Sequence, residues 1–170
     1  MSKPSRPSDP SNASGRPRIF FVTTCTAGGI SLFQTERMAN LFIDVLRTYM
    51  QTKKFIVHDF VVMPNHVHIL MTLPGDITLE KAMQLIKGSF SYRANKELGF
   101  RGEVWQRGFS DARVNDEQSF QQHREYIENN PVKAGLSNSA EEYPSGSAYL
   151  KKQKRAGAKA RDLTMAERHD

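Results

Sequence analysis

Two apolar, β-branched runs lie close together near the middle of the chain. Residues 55–62 and 66–73 each have the length and composition of a β-strand, and only Met63-Pro64-Asn65 separates them. Because proline has no N–H to donate to a central ladder, we expect a tight connection at Pro64. The two runs are therefore predicted to be neighbouring strands of an antiparallel hairpin.

The segments on both sides of this hairpin predict one earlier strand and two helices. Residues 19–26 are β-branched and aromatic, as in a strand. Apolar residues at three- and four-residue spacing predict helices at 35–51 and 78–98. Residues 103–107 and 111–114 favour a short hairpin or two strand fragments.

A last helix is expected to begin at Asn115 and to stop near Asn129, because Pro131 follows. The order β-α-β-β-α-β-α then favours an α+β fold. We predict a ferredoxin-like or RRM-like split βαβ sandwich, in which an antiparallel sheet has helices packed on one face and a C-terminal helix carries Tyr126.

Composition divides the chain into three parts. Residues 1–15 are rich in Ser and Pro and are expected to form a disordered N-terminal tail. Residues 16–136 hold the predicted domain, and residues 137–170 are expected to form a basic, partly disordered C-terminal tail. The 170-residue chain has a formal net charge of +6, and half of that excess lies in the two tails. The charge is compatible with a polyanionic partner and identifies none.

Several classes of protein are excluded by composition. The one cysteine, Cys25, excludes an internal disulfide framework and an all-cysteine zinc site. No apolar run approaches the ~20 residues that span a bilayer, and the first residues lack the apolar stretch of a secretory signal. We therefore expect a soluble cytoplasmic protein.

His66-Val67-His68 is the first candidate site. Residues two apart in a strand point to the same face, so both imidazoles project side by side while Val67 points away. Neighbouring neutral imidazoles suit a divalent cation. Two polar positions on an open sheet face would show the same pattern.

Tyr126 and Asn130 form a second candidate pair, because four residues separate them and they share one face of the predicted last helix. A tyrosine phenol can attack phosphorus when a nearby metal ion favours the phenolate. A ring packed on the sheet and a residue at a helix end are the simpler interpretation. In the third candidate, Trp105-Gln106-Arg107-Gly108-Phe109, the aromatic rings would either stack on bases or fill the core.

Together these motifs resemble one family. The motif at 64–68, followed some sixty residues later by the run from Tyr126 to Leu136, is similar to the single-tyrosine HUH transposases, and most of all to the REP-associated tyrosine transposases related to IS200/IS605 enzymes. The Trp105–Phe109 motif and Phe21-Val22-Thr23-Thr24 also resemble that family. The similarity spans about 18–136, so 16–136 is expected to be an IS200-like HUH transposase domain.

The resemblance implies a metal-dependent DNA enzyme. It assigns the nucleophile to Tyr126 and the ligands of Mg²⁺ or Mn²⁺ to His66, His68 and Asn130, although some relatives have Gln at the last position. It implies cleavage and rejoining of single-stranded DNA near a REP-type hairpin through a 5′-phosphotyrosine, by a monomer or a homodimer that associates with the nucleoid when bound to DNA. Asn65 departs from the Asp or Glu of many relatives, at a position not expected among the ligands.

Basic and aromatic residues are expected to contact this DNA. The predicted contacts are Arg16, Arg18, Trp105, Arg107, Lys151, Lys152, Lys154 and Arg155. For the C-terminal cluster, a solvated segment without contacts is an equally good interpretation. Two other functions remain open: a non-catalytic hairpin-binding protein on the same scaffold, and a two-histidine phosphoesterase that needs no tyrosine.

Overall fold

The computed structural model describes residues 15–166, except the side chains of 163, 165 and 166, so the predicted tail at 1–15 lies almost wholly outside the described residues. The strands are β1 (Arg18–Cys25), β2 (Ile56–Met63), β3 (His66–Leu73) and β4 (Ser110–Val114). The helices are α1 (Glu36–Gln51), α2 (Leu79–Leu98), α3 (Glu117–Lys133) and α4 (Ser147–Ala166). Short 3₁₀ turns occupy 27–29, 32–34 and 140–142.

The four strands form one antiparallel sheet in the order β2-β3-β1-β4. The predicted hairpin is confirmed, since Met63 of β2 pairs with His66 of β3 across the Pro64-Asn65 turn. The Pro64 carbonyl, which has no ladder partner at this turn, accepts from Phe33 N at 2.9 Å. The predicted α+β sandwich with an antiparallel sheet is confirmed.

The sheet has helices of different kinds on its two faces. Alternate residues of β1 and β3, such as Val22, Val67 and Ile69, are buried against α1 and α2 in the main core. The residues between them point to the opposite face, where Leu70 packs with Ile127 of α3 in a smaller cluster. The tyrosine-bearing helix therefore lies across the sheet from the other two packed helices.

The last predicted helix differs from the observed one at both ends. Asp116 rather than Asn115 caps α3, because its Oδ1 accepts from Ser119 N at 2.7 Å. The helix also continues through Pro131 to Lys133 instead of stopping near residue 129. Pro131 is buried, and its packing offsets the one backbone hydrogen bond that proline cannot make.

The segment 103–114 contributes one strand and not a hairpin. Ser110–Val114 pairs with β1 as the outer strand β4, whereas Trp105 makes a single bridge to Thr26. Its Nε1 donates to the Lys87 carbonyl of α2 at 3.1 Å, which ties this segment to the helix layer.

The C-terminal segment packs on the outer edge of β2, where we expected a partly disordered tail. Val62 N donates to Ser145 O at 2.8 Å, and the Tyr143 hydroxyl donates to Val62 O at 2.8 Å. Only from Lys151 onward are the described side chains of α4 all exposed. Lys, Gln, Arg and Ala favour helix in this stretch, which contains no proline.

None of the helices within residues 15–166 combines the length and the apolar character that a membrane span requires.

Candidate active site

Strand pairing places the two histidines on the face that α3 covers. Cys25 and Thr23 of β1 lie opposite His66 and His68 of β3, and Val67 between the histidines is buried on the other face. The predicted same-face arrangement of the HxH pair is confirmed, and the two ring centroids are 4.9 Å apart.

His68 is the buried member of the pair, with 4% of its surface exposed. Its Nδ1 lies 2.8 Å from Thr23 Oγ1, and its Nε2 lies 3.3 Å from Asn130 Nδ2 on α3. Its ring also stacks on Phe21, with centroids 5.4 Å apart. Both ring nitrogens therefore have a neighbour, and Nε2 points toward the tyrosine-bearing helix.

His66 is more accessible, and its neighbour leaves one ring nitrogen available. Its Nδ1 lies 2.7 Å from Asn65 Oδ1, which can only accept, so Nδ1 carries the proton and Nε2 the lone pair. Asn65 thus orients the first histidine even though it is not expected to be a ligand.

The histidine pair is held in its neutral form. Burial, and then the neighbouring His66, lower the pKa of His68 to about 3. Burial also lowers the pKa of His66 below its ordinary value. Both imidazoles are therefore uncharged near neutral pH, which is the form that binds a metal ion.

Tyr126 reaches the same place from α3. The buried side chain of Ile127 fixes this part of the helix against the sheet, while 48% of Tyr126 is exposed. The Tyr126 ring makes T-shaped contacts with the rings of His68 and Phe21, with centroid distances of 5.2 and 5.8 Å. The Tyr126 side chain is therefore partly exposed to solvent, where a large substrate can reach it, while its ring packs on His68 and Phe21.

The chemistry of these donors fits a divalent cation. Two neutral imidazoles and one amide converge, and a flip of the Asn130 amide would turn its oxygen instead of its nitrogen toward His68. Among the described residues, no group of three or more His, Cys, Asp or Glu side chains is placed to hold a metal. A bound ion would therefore keep positions for oxygen ligands from substrate or water.

Two of the predicted DNA contacts are wrong. Trp105 is 7% exposed, and its ring packs with Phe33, Phe42 and Phe90, so it fills the core and cannot stack on a base. Arg18 is 2% exposed, because its Nη2 donates to the carbonyls of Pro74 and Ile77 before α2 at 3.0 and 2.5 Å.

The other predicted DNA contacts differ in whether the basic side chain already pairs with a carboxylate of the protein. Lys151 Nζ lies 2.6 Å from Asp59 Oδ1, and Lys152 Nζ lies 3.5 Å from Glu141 Oε2. The remaining basic residues are exposed and stay predicted contacts. They are Arg16, Arg107, Lys154 and Arg155.

Sequence reasoning missed three residues that contact the candidate site or α3. Asp59 lies in no motif, Arg124 lies two residues before the tyrosine without a distinguishing pattern, and the motif that contains Thr23 gives it no role. Thr23 could be found only from the β1–β3 register, because the alternation of β1 shows its face but not its partner. Asp59 was unpredictable because an irregularity in β2 decides which way it points.

Sequence comparison gives three similarities. The family described as "Transposase IS200 like" matches residues 21–130. A "Putative REP-associated tyrosine transposase" of Haemophilus influenzae is 26% identical over 142 residues, which cover 72% of this chain and 81% of that protein. The REP-associated tyrosine transposase of Escherichia coli is 28% identical over 93 residues, which cover 54% of this chain and 53% of that protein.

Structural comparison agrees with the sequence. A REP-associated tyrosine transposase, solved bound to a REP hairpin, superposes with a TM-score of 0.66 and 25% sequence identity. The match covers 88% of this chain and 84% of that one. It extends past the range of the family match and so takes in part of the C-terminal segment. The resemblance drawn from the motifs is confirmed.

Proposed function

The chain belongs to the IS200-like transposase family, and we propose that it cleaves and rejoins single-stranded DNA beside a REP-type hairpin with Tyr126 as nucleophile. Transposases of this kind are DNA-cleaving enzymes that bind DNA. The cleavage chemistry, the metal ion and the hairpin substrate are the proposed parts.

One observation carries the proposal. Within one chain, the Tyr126 ring makes a T-shaped contact with the His68 ring, and His68 Nε2 lies 3.3 Å from Nδ2 of Asn130, one helical turn further along α3. A buried structural histidine would not need an exposed tyrosine beside it. A tyrosine that attacks a metal-bound phosphate, in contrast, must be exposed to the substrate and must lie beside the histidine that holds the metal ion.

The proposed reaction exchanges one phosphodiester bond for another, so it needs no external energy source. The Tyr126 hydroxyl oxygen attacks the scissile phosphorus in line, and its proton passes to solvent. The bond from phosphorus to the 3′ oxygen breaks, and that oxygen leaves with the electron pair and takes a proton as a free 3′-OH. The 5′ phosphate stays on Tyr126 as a diester, so another 3′-OH can reverse the step and join strands.

His66, His68 and Asn130 are the proposed ligands of Mg²⁺ or Mn²⁺. When bound, the ion would offset the charge of the scissile phosphate and favour the phenolate. Thr23 and Asn65 hold the two imidazoles in orientation through their Nδ1 atoms.

The substrate is proposed to be single-stranded at the cut. The half-exposed side chain of Tyr126 lies on α3 at the protein surface, where a phosphate in an unpaired strand can approach and one inside a stacked duplex is harder to align. The structural relative is bound to a REP hairpin, which supports the same class of DNA here. Exposed basic residues of α4 would meet backbone phosphates.

A covalent-adduct assay tests this function. We expect labelled hairpin DNA with Mn²⁺ to give an SDS-resistant protein–DNA band with the native chain and none with Tyr126→Phe, while both bind the hairpin. Tyr92→Phe is the matched control, because Tyr92 is 62% exposed on α2 and lies outside the site. It should form the adduct normally.

Two results would overturn the assignment. An adduct with Tyr126→Phe would exclude this nucleophile. Hairpin binding by the native chain without cleavage or adduct would instead favour the non-catalytic hairpin-binding protein.

A further inference from the structure

Asp59 is a buried carboxylate at the junction of three elements. Its side chain is 1% exposed, although it lies on the outer strand β2. Burying a carboxylate is costly unless charges and hydrogen bonds compensate for lost water. Such a group therefore has a role that its partners should reveal.

A β-bulge decides which way Asp59 points. Val57 pairs with Met71 and Asp59 with Leu70, so His58 is an extra residue in β2. In a regular strand without a bulge, Val57 and Asp59 are two residues apart and would share a face, so the carboxylate would enter the apolar core under α1. The bulge turns Asp59 toward α3, on the face that holds the histidines.

The partners of Asp59 come from two different helices. Arg124 of α3 contacts Asp59 Oδ2 through its Nε at 2.8 Å, and Lys151 of α4 contacts Oδ1 at 2.6 Å. The Ser147 hydroxyl at the start of α4 accepts from Phe60 N at 3.0 Å and lies 3.3 Å from Asp59 Oδ1. One carboxylate thus joins the sheet, α3 and α4.

Ring contacts such as that of His123 with Phe21 also hold α3 on the sheet, but the buried apolar contact of this helix is small. Only Ile127 and Pro131 of this helix are buried, whereas α1 buries seven side chains. Arg124 also lies over the Phe120 ring one turn earlier, 5.0 Å from its centroid. Because Tyr126 follows Arg124 by two residues, a rotation or slide of α3 at this contact would move the phenol.

We propose that Asp59, with Arg124 and Lys151, is a positioning cluster that holds α3 so that Tyr126 lies over His68. The claim rests on the proposed function for what Tyr126 does there. The start of α4 then helps to hold Tyr126 in place through Asp59. Lys151 pairs with this carboxylate of the protein and not with DNA.

Opposite changes of charge separate positioning from DNA attraction. Asp59→Asn raises the net charge and Arg124→Gln lowers it, so simple attraction of DNA predicts opposite effects. Positioning predicts that both slow the reaction. Arg37→Gln, on the exposed side of α1, removes the same charge as Arg124→Gln outside the cluster and is the matched control.

The experiment measures three quantities on the full chain: the cleavage rate constant at saturating hairpin DNA, the hairpin affinity, and hydrogen exchange of the α3 amides. We expect Asp59→Asn and Arg124→Gln to lower the rate constant by about 10- to 100-fold. The α3 amides should exchange faster while those of α1 do not, and hairpin affinity should change no more than in Arg37→Gln. Arg124→Lys, which keeps the charge, should recover part of the rate.

Lys151→Met keeps the proposal testable if Asp59→Asn fails to fold, because the Lys151 side chain is half-exposed. It should slow cleavage and loosen α3 without weakening hairpin binding. Weaker binding at an unchanged rate constant would overturn the proposal, as would unchanged exchange of α3 in all three variants. If the native chain does not cleave DNA, the proposed function fails, and the exchange of α3 still decides whether Asp59 positions the helix.

Discussion

Each histidine of the site has its Nδ1 engaged by a neighbour that has no catalytic chemistry of its own. Thr23 contacts His68, and Asn65 contacts His66. In metal sites, such outer contacts set the orientation of the imidazole and its basicity. We therefore expect the Thr23 hydroxyl to contribute to metal affinity by orienting the His68 ring.

Replacing Thr23 tests this role. Thr23→Val keeps the shape and removes the hydroxyl, so the Mn²⁺ concentration for half-maximal cleavage should rise by about 10- to 100-fold. Thr23→Ser restores the oxygen and should stay near the native value. Metal titrations of the cleavage rate measure both, and an unchanged Val variant would show that the contact has no role in metal binding.

The burial of Trp105 predicts a loss of stability rather than a loss of a DNA contact. Trp105→Ala should lower the free energy of unfolding by about 3–5 kcal/mol, because it leaves a cavity among three phenylalanines. Urea denaturation measures this. Arg107→Ala, two residues away and exposed, should change it by only about 0.5 kcal/mol. A Trp105→Ala protein of native stability that no longer binds DNA would restore the base-stacking interpretation.

At the scale of elements, α4 has two parts with different roles. Its first turn contacts Asp59 and β2, and the helix beyond Lys151 is exposed and basic. The predicted DNA contacts that remain on α4 lie in this exposed part. Removing charge there should affect binding and leave the chemistry unchanged.

A double variant tests the exposed part of α4. Lys154→Gln with Arg155→Gln should weaken hairpin binding and make its dependence on salt less steep, by about 0.7 per lost contact in a log–log plot. Binding measured at several salt concentrations gives this slope. Arg37→Gln with Arg101→Gln, which removes the same charge elsewhere, should keep the native slope, and equal slopes for both double variants would mean that α4 does not contact DNA.

Most elements were predictable because their signals are local. Runs of β-branched and aromatic residues defined β1 to β3, and apolar residues at three- and four-residue spacing defined α1 and α2. The continuation of α3 through Pro131 and the packing of the C-terminal segment depend on contacts far apart in sequence. Local propensity cannot show those contacts, nor the bulge that turns Asp59.

The same limit applies to the site. Spacing predicted that His66 and His68 share a face and that Tyr126 and Asn130 share a helix face. Spacing alone did not show that these two pairs meet; the family resemblance implied it, and in the structure α3 crosses the sheet beside the histidines. Arg18 was misplaced because a basic residue at a strand start looks exposed in sequence, whereas here it closes the loop before α2.

At the scale of the whole molecule, one chain brings all four site residues together. Tyr126 lies beside His68 of its own chain, with ring centroids 5.2 Å apart. We therefore expect Tyr126 to act with the histidines of its own chain, without a helix from a second subunit.

Mixing two inactive variants tests this arrangement. Tyr126→Phe keeps the histidines and His68→Ala keeps the tyrosine, so a site shared between subunits would regain activity in mixed dimers. We expect no cleavage from the mixture at any ratio, measured as DNA product. Recovered activity would show that the tyrosine acts on the partner's histidines.

Peptide mass spectrometry shows directly whether Tyr126 becomes covalently joined to DNA. Tryptic digestion of the protein after Arg124 and Lys133 releases a peptide, 125–133, in which Tyr126 is the only tyrosine. After reaction with hairpin DNA and Mn²⁺ and digestion of the DNA, this peptide should carry a 5′-phosphorylated nucleotide on Tyr126. A nucleotide on any other residue, or cut DNA whose 5′ phosphate is free of protein throughout the reaction, would exclude Tyr126 as the nucleophile.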